Sequence, residues 1–151
     1  MAIDVKENKT LKLSNVVLHK VNVEELKKVS AEKIVKLLNA QLLSKGAAPK
    51  GPLINHTYLR NGENQVSFMM QASKPVEVKF PYGFSDSLKI ENCLYTRFQG
   101  KEYDIDYAYQ KMNLYAYEND ISLKKESYSI FLSNEPESDK VVIDIFMPMN
   151  K

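Results

Sequence analysis

The second half of this chain repeats the organisation of its first. Each half reads as strand, amphipathic helix, strand, strand, and matching elements lie roughly 75 residues apart. In the first half, residues 15–23 are strand-like, a helical run covers 24–44, and strands are expected over 52–59 and 65–72. In the second half, 90–98 is strand-like, a helix is expected over 104–119, and strands follow over 128–132 and 141–147. One such unit has a hydrophobic face it cannot bury alone, whereas two can close on one another. The expected fold is therefore α+β: two tandem β-α-β-β modules with pseudo-two-fold symmetry, antiparallel sheets with one long helix each, and a central cleft. A cleft at the pseudo-symmetry axis is where a ligand would go.

The same pattern sets the domain expectation. Residues 1–14 read as an N-terminal tail or edge strand, and 15–151 as a single domain with halves 15–73 and 88–151. The segment 74–87, which holds Pro75, Pro81 and Gly83, connects them. At 151 residues the chain has room for one real core and little more. With 21 basic and 19 acidic residues it lacks the concentrated positive charge that supplies the affinity of nucleic-acid binders. No apolar run approaches the roughly 20 residues that span a bilayer, and the charged start carries no signal-peptide core. A cytoplasmic protein is the expectation. Cys93 is the one cysteine, so no intramolecular disulfide and no Cys-based metal site are expected.

Local signals place the elements. Asn22 followed by Glu25 resembles a capping box, and Ile34, Leu37, Leu38 and Leu42 form one apolar stripe. Gly46 stops that helix, with Pro49 close behind. Asn61-Gly62 between two strand-like runs favours a hairpin turn. In the second half Asp104 is placed to cap the helix, Ile105, Ala108, Tyr109, Met112, Tyr115 and Ala116 form its inner stripe, and Asn119 is expected in the left-handed conformation at its end. A polar loop over 133–140, around Pro136, joins the last two strands.

Strand alternation names the faces. Val141, Ile143, Ile145 and Met147 are assigned to the helix-packed core, with Val142, Asp144 and Phe146 opposite. In the strand before it, Tyr128, Ile130 and Leu132 are expected to face the helices, with Ser129 and Phe131 on the other side. The candidate ligand face of the second half is then Tyr95, Arg97, Ser129, Phe131, Asp144 and Phe146. By pseudo-symmetry Asn55, Thr57 and Met69 line the wall of the first. A slip of one residue in register reverses every such assignment.

The stretch from Phe98 onward also resembles a known family. Gly100 and Tyr103 follow the strand, then Tyr109, Met112 and Tyr115 on the helix, then Glu118-Asn119-Asp120. Tyr128 to Leu132 with Pro136 nearby, and Asp144-Ile145-Phe146-Met147-Pro148-Met149, complete a pattern similar to the second half of GyrI-like effector-binding domains. Gly51-Pro52 and the alternating Val66, Phe68 and Met70 fit the first half. The resemblance implies two fused β-α-β-β modules around a ligand cleft. Members of that family sense lipophilic, often cationic compounds, inhibit DNA gyrase as stand-alone proteins, or in some branches hydrolyse small strained-ring compounds. Two departures matter: Ser129 stands where many ligand-binding members carry a Glu, and the family's Gly-x-Tyr is stretched to Gly100-Lys101-Glu102-Tyr103. Without that carboxylate, cation sensing and hydrolysis both lose a central group. No helix-turn-helix precedes the domain, so the chain is not expected to bind DNA itself.

No catalytic constellation is visible. The only two histidines, His19 and His56, sit in separate strands with no acidic or Cys neighbour at a diagnostic spacing, and no Gly-rich phosphate loop or nucleophile elbow occurs. By contrast, nine Tyr and six Phe offer many flat apolar surfaces with polar rims. The expectation is a stand-alone, non-catalytic small-molecule-binding protein for an amphipathic or aromatic ligand, with no cofactor and no metal. The alternative is a protein-interaction module, gyrase-inhibitor-like or accessory, whose exposed apolar patch could bury itself in a homodimer. A hydrolase of the GyrI-like branch comes third.

Overall fold

A computed structural model describes residues 3–22, 24, 31–79, 81–135 and 140–150. Glu25 of the capping-box reading and Pro136 of the polar loop lie outside them. Six strands and two α-helices occur among the described residues: β1 (Lys6–Asn22), α1 (Ala31–Ser44), β2 (Ile54–Arg60), β3 (Glu63–Gln71), β4 (Tyr82–Lys101), α2 (Asp106–Glu118), β5 (Glu126–Glu135) and β6 (Lys140–Pro148). The fold is α+β, and all four registered strand pairs are antiparallel.

The chain divides into two compact units, one of Lys12–Lys89 and one of Met1–Leu11 with Ile90–Lys151. In the first unit β3 lies between β1 and β2. In the second β6 lies between β4 and β5. Each unit is thus strand, helix, strand, strand, as the repeat predicts, and in each the last strand lies in the middle. The correspondence extends to single hydrogen bonds. The Ala72 amide donates to the Asn15 carbonyl at 2.8 Å and the Met149 amide to the Asn92 carbonyl at 2.8 Å. Asn15 and Asn92 both have positive φ, 49° and 55°, a conformation Asn tolerates better than other side chains. Pro49 bridges Ala72, and Leu123 bridges Met149, in the same places. Both helices close with a six-to-one bond across a left-handed residue: Ala47 to Leu42 over Gly46, and Ile121 to Ala116 over Asp120.

The cores are built as the periodicity requires. Ile34, Leu38 and Leu42 of α1 pack with Val17, Val21, Phe68 and Met70. Ala108, Met112 and Ala116 of α2 pack with Leu94, Phe98, Val141, Ile143, Ile145 and Met147, the β6 face expected from alternation. Asn61 and Gly62 take φ values of 52° and 78° between Arg60 and Glu63, which pair directly, the two positive values a type I′ turn demands.

Of the two readings of the N-terminal residues, tail or edge strand, a strand is present from Lys6: Ile3 and Val5 pack against the second unit's core, and the Thr96 hydroxyl donates to the Asp4 carbonyl at 2.8 Å. Other expectations are corrected. Strand β4 already begins at Tyr82, inside the expected connector. Leu37 is exposed, because the apolar stripe of α1 is narrower than four positions. A 3-10 turn over Glu102–Asp104 precedes α2, whose N-cap is Ile105 without a side-chain cap. Asp104 therefore does not cap it. Asn119 has φ of −109°, and the left-handed residue is Asp120, one position later.

Candidate functional site

Cross-strand register decides which side chains meet, since directly opposite residues share a face. In the second unit Tyr95 lies opposite Phe146 and Arg97 opposite Asp144. On the other flank of β6, Tyr128 lies opposite Phe146 and Ile130 opposite Asp144. The face away from α2 therefore carries two rows, Tyr95–Phe146–Tyr128 and Arg97–Asp144–Ile130.

Ser129 and Phe131 are not on it. They lie opposite Ile145 and Ile143, on the helix side, where Phe131 packs against the core and the Ser129 hydroxyl is 2.5 Å from that of Tyr109. Both were expected on the ligand face, and both assignments are reversed by one residue. The cause is a register shift between Phe131 and Ser133, which leaves Leu132 exposed at 40% and misleads any count made from it. The first-unit wall, carried over by pseudo-symmetry, is misplaced in the same sense, although its β2–β3 register is unbroken. Met69 lies opposite Ile54 and Leu18 on the face away from α1. Asn55 and Thr57 lie opposite Phe68 and Val66, on the helix side, so the three expected wall residues do not share a face.

The residues that remain form a connected cluster. Asp144 is 8% exposed in a strand centre, where an unpartnered carboxylate would be costly. Arg97 donates to it from Nε at 2.8 Å and from Nη2 at 3.1 Å, a two-point grip on one carboxylate. The Tyr95 hydroxyl donates to the same Asp144 Oδ1 at 2.8 Å. The Tyr95 ring meets Phe146 with centroids 4.9 Å apart, tilted by 44°, an arrangement aromatic pairs favour. Tyr95 is half-buried, and the Arg97 side chain is 48% exposed. Asp144, Phe146, Tyr128 and Ile130 are buried. The cluster has an accessible Tyr–Arg rim over a buried floor.

Its ionisation follows from these contacts. Burial, then the hydrogen bond to Asp144, holds the Tyr95 phenol above the usual tyrosine range. The hydrogen bond to Asp144 and its charge hold the Arg97 guanidinium more firmly protonated than usual. Burial, then Glu126, raises the Tyr128 phenol, which is hydrogen-bonded to that carboxylate. Burial pushes the neighbouring Cys93 thiol up to about 11, the mark of an inert cysteine. None of these groups is poised to exchange a proton near neutral pH.

Tyr128 and Ile130 are the residues sequence reasoning missed, having been assigned to the helix side. Their signal lies in the pairing with Phe146 and Asp144, which the amino-acid string does not carry. The two histidines occupy opposite faces of the first unit's sheet: His19 lies opposite Phe68 and meets the Tyr82 ring at 5.2 Å, whereas His56 lies opposite Ser67 and stacks on Tyr58 at 4.7 Å. A cavity of about 440 Å3 in the second unit is lined by Asn8, Asn92, Asp120, Ile121, Ser122, Met149 and Asn150. None of the aromatic cluster lines it. Among the described residues no helix is long and apolar enough to cross a membrane.

Comparison with known proteins places the fold. No family model matches this chain, and no curated protein does. Solved structures do. The structure of SAV2435 bound to tetraphenylphosphonium aligns over 99% of this chain and 94% of its own, with a TM-score of 0.56 at 12% identity. The C-terminal domain of EcmrR aligns over 99% and 98%, with a TM-score of 0.70 at 12% identity. A hydrolase encoded by lin2189 of Listeria innocua aligns over 98% and 91%, with a TM-score of 0.54 at 10% identity. At such identities the likeness shows a shared fold.

Proposed function

We propose that this chain is a GyrI-like small-molecule-binding protein that takes an aromatic or amphipathic ligand on the second unit's face away from α2 and does no chemistry on it. The observation that carries the reading is the Tyr95–Asp144–Arg97 cluster set against the Tyr95–Phe146 ring pair. Flat apolar surface beside a few fixed polar groups is the usual chemistry of a ligand site. Tyr95 supplies both a ring and an anchored hydroxyl, and Arg97 remains accessible at the rim. The Tyr95 and Tyr128 phenols are held above the usual tyrosine range and Asp144 is engaged by Arg97 and Tyr95, so this cluster offers no free group for general acid–base work at neutral pH, which supports binding over turnover. A neighbour of the same fold holds tetraphenylphosphonium, so a fold of this kind can take a small aromatic molecule.

Thermal unfolding against a panel of lipophilic cations, aromatic acids and neutral amphiphiles tests the reading. A ligand at about 100 times its Kd adds roughly 2.7 kcal/mol, a rise of about 5–10 °C in Tm for a chain of this size. The rise should disappear in Tyr95→Ala. No shift with any class would reject small-molecule binding.

A second reading, capture of another protein, is favoured by one observation. Tyr103, Tyr107, Leu114 and Tyr117 are exposed at 72%, 65%, 49% and 82% along the outer side of α2 and its leading turn. Exposed aromatic surface of this kind is enriched at interfaces. If the ligand panel fails, a pull-down comparing the native chain with Tyr107→Ser/Tyr117→Ser distinguishes this reading from an inert surface.

A further inference from the structure

Resting on that reading, we infer that the ligand carries a carboxylate or a comparable planar oxyanion, received by the outer edge of Arg97. The inference starts from the state of Asp144, the acidic group at the centre of this face. A cationic ligand needs a counter-charge, and here the carboxylate already accepts from Arg97 Nε, Arg97 Nη2 and the Tyr95 hydroxyl. To serve a cation it would have to give up a two-point ion pair whose carboxylate, though not its guanidinium, is largely shielded from water. The other acid at this end of β5, Glu126, is hydrogen-bonded to Tyr128. Neither carboxylate on the face is uncommitted.

Arg97 is different. A guanidinium is a planar fork with two usable edges. Asp144 takes the side edge, Nε with Nη2, and leaves Nη1 with the outer hydrogen of Nη2 pointing away from it. Beyond Asp144 and the neighbouring Tyr95 hydroxyl, no protein group engages the fork among the described residues, and about half of the side chain is exposed. Asp144 also fixes the plane of the fork, so little side-chain freedom remains to be lost when a second carboxylate docks. Tyr95 lies two positions before Arg97 on the same face of β4, shares Asp144 Oδ1 with it, and offers a half-buried ring to an aromatic body. An aromatic acid fits both features.

The matched face of the first unit points the same way by itself. Its row of Lys20, Ser67 and His56 occupies the places that Arg97, Asp144 and Ile130 hold in the second. That row carries an exposed cation, Lys20, and no acid.

The test is calorimetric titration of the full chain with three probes: 2-naphthoate, the neutral isostere 2-naphthalenemethanol, and tetraphenylphosphonium. The expected result is that naphthoate binds at least about tenfold tighter than the neutral probe. Asp144→Asn keeps one acceptor oxygen but removes the competing negative charge, so it should raise the ratio of naphthoate to neutral-probe affinity several-fold. Arg97→Gln should erase the preference for the acid, and Arg97→Lys, which keeps the charge without the fork, should restore only part of it. Thermal unfolding of each variant checks that it folds. Preferred binding of tetraphenylphosphonium, weakened by Asp144→Asn, would overturn the inference while leaving the binding reading intact. Equal affinity for naphthoate and its neutral isostere would overturn it too. Absence of binding by all three probes would overturn both.

Discussion

The two units share a frame and differ in what the frame presents. Both hold their first strand to their last through an amide, of Ala72 or Met149, that donates to the carbonyl of a left-handed Asn, Asn15 in one and Asn92 in the other. Both bury matched helix positions, Leu38 and Met112, completely. On the face away from the helix the likeness stops. Where the second unit has Tyr95, Phe146 and Tyr128, the first has Leu18, Met69 and Ile54. Where the second has the Arg97–Asp144 ion pair, the first has Lys20 beside Ser67, whose buried hydroxyl has no hydrogen-bond partner among the described residues. The repeat thus constrains backbone devices and helix packing, which every copy needs to fold. It leaves the opposite face free to diverge, and that is where ligand recognition is proposed.

Substitutions can break or sharpen this comparison. The largest effects belong to the shared frame. Leu38→Ala and Met112→Ala each remove a fully buried side chain and should each cost about 2–5 kcal/mol by urea unfolding; a cost below about 1 kcal/mol at either position would deny the equivalence of the two cores. Next come the matched polar positions, where opposite signs are expected. Asp144→Ala strands the Tyr95 hydroxyl and releases Arg97, a loss of about 1–2 kcal/mol once the exposure of Arg97 is considered. Ser67→Ala removes a buried unpartnered hydroxyl, so stability should hold or rise by up to about 1 kcal/mol. A substantial loss at Ser67 would show that its hydroxyl has a partner.

Two smaller effects follow. Gly46 and Asp120 end their helices at φ values of 73° and 54°. Gly46→Ala should cost about 1 kcal/mol and Asp120→Gly should gain about 0.5–1 kcal/mol, read as opposite displacements of Tm. Cys93 gives a pH signature without a counterpart in the first unit. Its folded pKa of about 11 lies above the ordinary value of 9.0, so the unfolded chain loses this proton first. Its contribution is intact below pH 9 and declines as pH rises through 11, by about 1 kcal/mol at pH 10. Stability profiles of the native chain and Cys93→Ala should converge over that window, and parallel profiles would contradict the assignment.

How far the sequence carries depends on whether one face of an element is unambiguous. Strand β6 was legible because Val141, Ile143, Ile145 and Met147 alternate with Asp144 opposite. The turn at Asn61-Gly62 was legible because few residue pairs accept two positive φ values. Strand β5 was not: Tyr128, Ile130, Phe131 and Leu132 are apolar on both sides, and the shift after Phe131 puts Leu132 out of phase. That one slip exchanged Ser129 and Phe131 for Tyr128 and Ile130, and by pseudo-symmetry Asn55 and Thr57 for Ile54 and His56. Tyr95, Arg97, Asp144 and Phe146 stayed correctly placed relative to one another, because strict alternation in β6, with Val141, Ile143, Ile145 and Met147 on one side and the charged Asp144 on the other, names its helix face. The ion pair itself depends on a cross-strand register, which no local pattern encodes.

The claim that ligand recognition resides on the second unit's divergent face is tested most directly by backbone and side-chain NMR during titration with 2-naphthoate. The account predicts saturable shift changes concentrated at Tyr95, Arg97, Tyr128, Asp144 and Phe146, with the Arg97 Nε resonance among the most perturbed. Shift changes centred on the cavity lined by Asn8, Asn92 and Asn150, or on the outer side of α2, would contradict it.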